Sequence, residues 1–205
     1  MEQSLAPAAN PDDTVRERLL RAAVDLFAEK GYTATSIREI VAAAGVTKPV
    51  LYYYFHNKKG LYHQIMDQAA QRLRANLAAL SEPGASVWER LLKLADLTHE
   101  AYSENLKIMK LMLLVMFGPP HDAPFVDFNA LYWQFHQAVE TMVAEGIQTG
   151  EMLPGDPPKI TWVLMGTVHL ALQTALCQPE RSLARQGLVE VLEVVHRAFW
   201  ASHRN

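Results

Sequence analysis

Twenty residues near the amino terminus, SIREIVAAAGVTKPVLYYYF (36–55), constrain the fold more than any other stretch. They hold two short segments, 36–44 and 47–55, with only Gly45 and Val46 between them. Ile37, Ile40, Val41 and Ala44 recur at the spacing of one helix face, and so do Leu51 and Phe55. Two short helices joined by a glycine-containing turn have helix-turn-helix geometry. The local signals agree. Ser36 and Glu39 match a capping box. Thr47 stands where a cap belongs, and Pro49 is tolerated in a first turn whose amides lack helical partners. Upstream, 14–30 aligns Val15, Leu19, Ala22, Ala23, Leu26 and Phe27 on one stripe, and Gly31 ends it. Downstream, Asn57 caps a fourth helix that runs to about residue 80.

The rest of the chain also reads as helices, at roughly 87–103, 104–117, 125–149, 158–177 and 182–201. SEPGAS (81–86), GPPHDAP (118–124) and GEMLPGDPP (150–158) separate them. No strand pattern, internal repeat or low-complexity tract occurs. The prediction is an all-α chain. The longest run free of Asp, Glu, Lys and Arg is 160–179, but six of its twenty residues are Thr, His or Gln. It reads as a buried bundle helix, with no membrane partner expected. Cys177 is the single cysteine, so no disulfide framework forms within the chain, which fits a reducing, cytoplasmic setting. Residues 1–13 lack Lys, Arg and an apolar core segment. They are expected to be a disordered arm and not a signal peptide.

The net charge of −3 hides an asymmetry. Residues 14–66 carry eight Lys/Arg against four Asp/Glu, and the remainder carries eleven against eighteen. A basic module on an acidic body suits a polyanionic partner. On a wheel of about 100° per residue, Leu51 and Phe55 face the core, Pro49, Tyr52 and Tyr53 face outward, and Tyr54 sits on the flank. Lys48, Lys58 and Lys59 surround these tyrosines. Tyrosine hydroxyls donate to phosphate oxygens and lysines neutralise them, so the surface that wants both is a DNA backbone.

Residues 14–66 closely resemble the TetR/AcrR family of bacterial repressors, through RERLLRAAVDLFAEKGYTATSIREIVAAAGV and TKPVLYYYFHNKKGLYHQIM. Val41 stands where that family usually has alanine, and Pro49-Val50 replace a frequent Gly-Thr pair. The resemblance implies an amino-terminal three-helix helix-turn-helix DNA-binding domain (14–62). A fourth helix would join it to a helical-bundle ligand-binding and dimerisation domain (63–205). It implies that Arg38 reaches a guanine edge, and that Lys48, Pro49, Val50 and Tyr53 lie in or beside the major groove. Ser36, Thr47, Tyr52, Tyr54 and Lys58 would hold phosphates. Leu51, Phe55, Phe27 and Ile40 would be core.

The carboxy-terminal residues say less. Residues 106–117 carry three methionines among leucines, which suits core filling or an adaptable pocket. Met109, Met112, Met116, Phe128, Trp133, His136, Met165 and His169 are candidate ligand contacts for an apolar or aromatic small molecule. Gly166, Ala171, Ala175, Leu188, Val191, Leu192, Val195 and Phe199 are candidate contacts between two copies in a homodimer. No HExxH, GxSxG, phosphate loop or Cys/His cluster occurs, so neither catalytic nor metal residues are expected, and no cofactor. The implied function is a ligand-released transcriptional repressor bound to a palindromic operator.

Overall fold

The computed structural model describes residues 14–81, 84–104, 106–117, 123–124 and 126–200. The expected arm at 1–13 and parts of the connections at 81–86 and 118–124 lie outside them. Among the described residues the elements are α1 (Val15–Ala34), α2 (Ile37–Ala43), α3 (Lys48–Phe55), α4 (Lys58–Leu80), α5 (Val87–Ser103), α6 (Leu106–Phe117), α7 (Phe128–Thr149), α8 (Pro157–Cys177) and α9 (Arg185–Phe199), with a 3-10 turn at Pro179–Arg181. The only extended pairing among them is an isolated bridge between Met152 and Trp200. The all-α expectation holds.

The helix starts are chemical. Thr14 with Glu17, Ser36 with Glu39 and Ser86 with Glu89 each form a reciprocal capping box, which satisfies two otherwise unpaired backbone amides apiece. Asn57 caps α4 by accepting from the Gly60 amide at 2.8 Å. Thr47 stands at the N-cap of α3, as expected, but its side chain makes no capping hydrogen bond. Pro49 has no N–H to offer its hydroxyl, and the Val50 amide goes to the Thr47 carbonyl at 3.1 Å. Gly31 breaks α1 at φ 84, but the chain makes one more turn to Ala34 before α2.

The chain divides into two compact units. The first holds the described residues up to Ala69 and those from Lys110 to Val126. Leu19, Ala23, Phe27, Ile40, Leu51, Leu61 and Met66 are fully buried. Phe27 and Tyr62 meet edge to face with centroids 5.5 Å apart. The second holds Ala70 to Met109 and the residues from Asp127 onward. Its core runs through Leu91 and Leu94 of α5, Val139, Met142 and Val143 of α7, Ile160 and Leu164 of α8, and Leu188 and Leu192 of α9. Glu151, between α7 and α8, accepts from the Val87 and Trp88 amides at 2.9 and 3.1 Å and so caps α5 from outside.

By length and composition α8 could cross a membrane, but one side of it lies in this core through Ile160, Thr161, Leu164, Met165, Ala171 and Ala175. The expected buried bundle helix is covered on one side only within the chain: Trp162, Val163 and Leu170 are exposed. Five of the eight expected interface residues are buried within the chain. Ala171, Ala175, Leu188, Leu192 and Val195 are buried in the chain's own core. Phe199 is partly buried against the same core. Gly166 and Val191 remain exposed.

Candidate nucleic-acid interface

Helices α2 and α3 carry most of the predicted contact residues. Burying Leu51 and Phe55 turns the other side of α3 outward. Tyr53 is 79% exposed, and Tyr52 and Tyr54 are 46% and 41% exposed. Each of the last two therefore keeps about half its ring against protein, which fixes its direction. Tyr53 and Tyr54 meet edge to face at 5.1 Å, so the pair forms one aromatic ridge. Lys48 and Pro49 are exposed in the first turn, and Val50 is half-buried. Arg38 is exposed on α2 and makes no ion pair among the described residues. Thr47 is exposed with its hydroxyl unused as a cap.

Two predicted contacts are already engaged. The Ser36 hydroxyl donates to Glu39 Oε2 at 2.7 Å and accepts from the Glu39 amide at 3.3 Å. A hydroxyl has one proton, so a phosphate could take it only by displacing Glu39. The Glu39 carboxyl is held down to about 2, first by its hydrogen bond from Lys30 and then by Ser36. Lys58 is engaged more fully. Its ammonium donates to the carbonyls of Tyr32 at 2.9 Å and Thr35 at 2.8 Å. It also lies 4.2 Å from the centroid of the Tyr32 ring.

Sequence reasoning missed the residues that receive Lys58. Thr35 is buried, and its hydroxyl donates to the Gly31 carbonyl at 2.8 Å. Tyr32 packs on Tyr62 at 4.9 Å. No pattern marks them, because each lies more than twenty positions from Lys58. His56, at the carboxyl end of α3, holds φ 62, a left-handed conformation costly for a residue with a side chain.

The candidate ligand contacts divide between the units. Met112 and Met116 fall in the first, where Met112 is buried and Met116 is half-buried. In the second, Met109 is half-buried and Phe128 and Met165 are buried. The remaining three belong to a string of rings on α7 and α8. His169 meets Tyr132 at 5.4 Å, Tyr132 meets Trp133 at 5.6 Å, Trp133 meets His136 at 5.4 Å, and His136 meets Trp162 at 6.2 Å. His136 is buried while Trp133 and Trp162 are exposed. Burial pushes the His169 imidazole below its ordinary pKa, which favours the neutral ring. Among the described residues no group of three or more His, Cys, Asp or Glu is placed to hold a metal ion.

Residues 19–65 match the family described as bacterial regulatory proteins, tetR family. The chain is 30% identical over 109 residues to the HTH-type transcriptional repressor NicS of Pseudomonas putida. That match covers 48% of this chain and about half of NicS, 51%. Its fold resembles that of the ketosteroid transcriptional regulator KstR2 of Mycobacterium tuberculosis, with a TM-score of 0.72, 21% identity and coverage of 93% and 97% of the two chains. It also resembles AibR, solved with isovaleryl coenzyme A and operator DNA, with a TM-score of 0.63, 20% identity and coverage of 90% and 97%.

Proposed function

We propose, for a chain whose amino-terminal module belongs to the tetR family of bacterial regulatory proteins, that it is a cytoplasmic, homodimeric repressor rather than an enzyme. It leaves a pseudo-palindromic operator when an apolar or aromatic small molecule binds its second unit. One observation carries the DNA reading. Tyr52, Tyr53 and Tyr54 stand exposed on α3 with Lys48, and Arg38 is exposed on α2, while Leu51 and Phe55 are buried on the other side of α3. Arg38 reads a base edge with its fork, and Val50 makes apolar contact, for example with a thymine methyl. Thr47, Tyr52 and Tyr54 hold phosphates, with Lys48 and Tyr53 beside them in the groove. One relative, NicS, is named as a repressor, which supports the direction of control.

The dimer reading rests on uncovered apolar surface. Trp162, Val163 and Leu170 of α8 and Val191 and Val194 of α9 are exposed, and Gly166 on α8 has open space where a side chain would stand. The last two helices thus present what a second copy would bury. The ligand reading rests on the ring string from His169 to Trp162, with His136 and His169 as polar handles. AibR, similar in fold, was solved with both an acyl thioester and DNA. To lower operator affinity a hundredfold, the ligand must prefer the DNA-free form by about 2.7 kcal/mol. Burying roughly 100 Å² more apolar surface in that form would suffice.

Selection of bound DNA from a random pool by the purified protein tests this. A palindrome is expected, with affinity falling about a thousandfold between roughly 50 and 200 mM salt. Binding that ignores salt would end the DNA reading. Hydrophobic compounds that raise the melting temperature yet never alter operator affinity would end the ligand reading.

A further inference from the structure

Helix α1 ends without a cation of its own: its last turn holds no basic residue. Beyond the break at Gly31 the carbonyls lack regular helical partners, although that of Tyr32 accepts from the Thr35 amide at 3.2 Å. Lys58 supplies the missing charge from another helix. Two of its three N–H donors go to the Tyr32 and Thr35 carbonyls, at 2.9 and 2.8 Å. Tyr32 is in the final turn of α1, and Thr35 is the residue before Ser36, which caps α2. One ammonium therefore joins the end of α1, the start of α2 and the start of α4. Tyr32 is gripped from two sides by α4, with Lys58 4.2 Å from its ring centroid and Tyr62, one turn on, packed at 4.9 Å. Thr35 is itself held by its hydroxyl bond to Gly31. The same turn of α4 presses on α3. A Cβ on Gly60 would stand 2.2 Å from the Phe55 carbonyl oxygen, so only glycine fits against the end of the reading helix.

We propose that Lys58 is a positioning residue, which pins the first turn of α4 to the α1–α2 junction and so sets the pose of α2 and α3, instead of holding a DNA phosphate. A phosphate would have to draw the ammonium from two carbonyls and a ring face, whereas Lys48 and Arg38 are exposed and need give up nothing comparable. Burial lowers the Lys58 pKa, in keeping with a cation partly withdrawn from water. The inference rests on the DNA-binding reading and adds a route for its control. An axial shift at the start of α4 would strain both carbonyl bonds and be felt at the α2 cap.

The test is operator affinity against salt for the wild type, Lys58→Met and Lys48→Ala. Methionine keeps the stem over Tyr32 and removes the donors. Lys58→Met is expected to bind about tenfold more weakly at every salt concentration with an unchanged slope, because its lost bonds lie inside the protein. Lys48→Ala, in the groove region, should lower the slope by about one. Unchanged affinity for Lys58→Met, or a slope reduced by about one, overturns the proposal. A second measurement needs no variant. Acetylation of wild-type lysines, read by mass spectrometry, should leave Lys58 the slower of the Lys58–Lys59 pair before DNA is added, with no further protection afterwards. If Lys58 reacts as fast as Lys59 in free protein and is shielded only by DNA, the pin is wrong. If no DNA is bound but Lys58 is still protected, the pin stands and the DNA reading fails instead.

Discussion

Ser36 and Glu39 are bound to each other by three hydrogen bonds at the start of α2, and Lys30 of α1 closes on the same carboxylate. The acid at this helix start therefore has a lowered pKa, about 2 against an ordinary 4.5. A depressed carboxylate contributes stability that is complete above its unfolded value and disappears as pH falls to its folded one. Glu39→Gln should accordingly melt below the wild type at neutral pH, and the gap should close between about pH 4.5 and about pH 2. Melting curves across that range check it; a gap that does not change with pH would mean the carboxylate charge adds nothing. Arg38, one position before Glu39, is exposed and unpaired among the described residues. Arg38→Ala should cost roughly 1–3 kcal/mol of operator binding and relax preference at one base pair per half-site. Sequence spacing was enough to turn Tyr52 and Tyr53 outward and to find the α2 capping box. It could not place Lys58, whose partners lie 26 and 23 positions away and are backbone oxygens that any residue could supply.

Apolar periodicity located each helix to within a few residues, but it could not say what covers each face. α8 is apolar around most of its wheel, and such a pattern is the same whether a face meets α5 or a second chain. Ala171 and Ala175, which as small residues would suit close approach between copies, lie buried in the core of their own unit. The expected consequences separate. Ala175→Glu should unfold the second unit, since it buries an unpaired charge. Leu170→Glu and Val194→Glu, at exposed positions, should stay folded but sediment as monomers with weakened operator binding. Sedimentation with circular dichroism distinguishes these, and dimeric Leu170→Glu and Val194→Glu would refute the assigned face. A tighter constraint lies at Gly146 of α7, where an added Cβ would meet Val87 Cγ2 at 2.7 Å and Met152 Cγ at 2.9 Å. Gly146→Ala should lose about 1–3 kcal/mol by overpacking, read as a lower denaturant midpoint.

The two units were legible to different degrees for a physical reason. In the proposed function the first meets a duplex of fixed shape, which few residue patterns will serve, and a short turn, two caps and a run of tyrosines point to it. The second would need only to enclose apolar matter, and many patterns of Leu, Met and Val do that equally well. The exposed strip of Trp162, Leu170, Val191 and Val194 carries a further consequence at this scale. In the proposed dimer, folding would be tied to mass action: each tenfold dilution would remove about 1.4 kcal/mol from the assembled state. The melting temperature should therefore climb with protein concentration, and scans at roughly micromolar and hundred-micromolar chain would reveal it. In a cell the same coupling makes abundance self-reinforcing. Scarce copies would stand more often as unfolded singles open to proteolysis, so the regulator's own supply would sharpen the boundary between a silenced promoter and an open one.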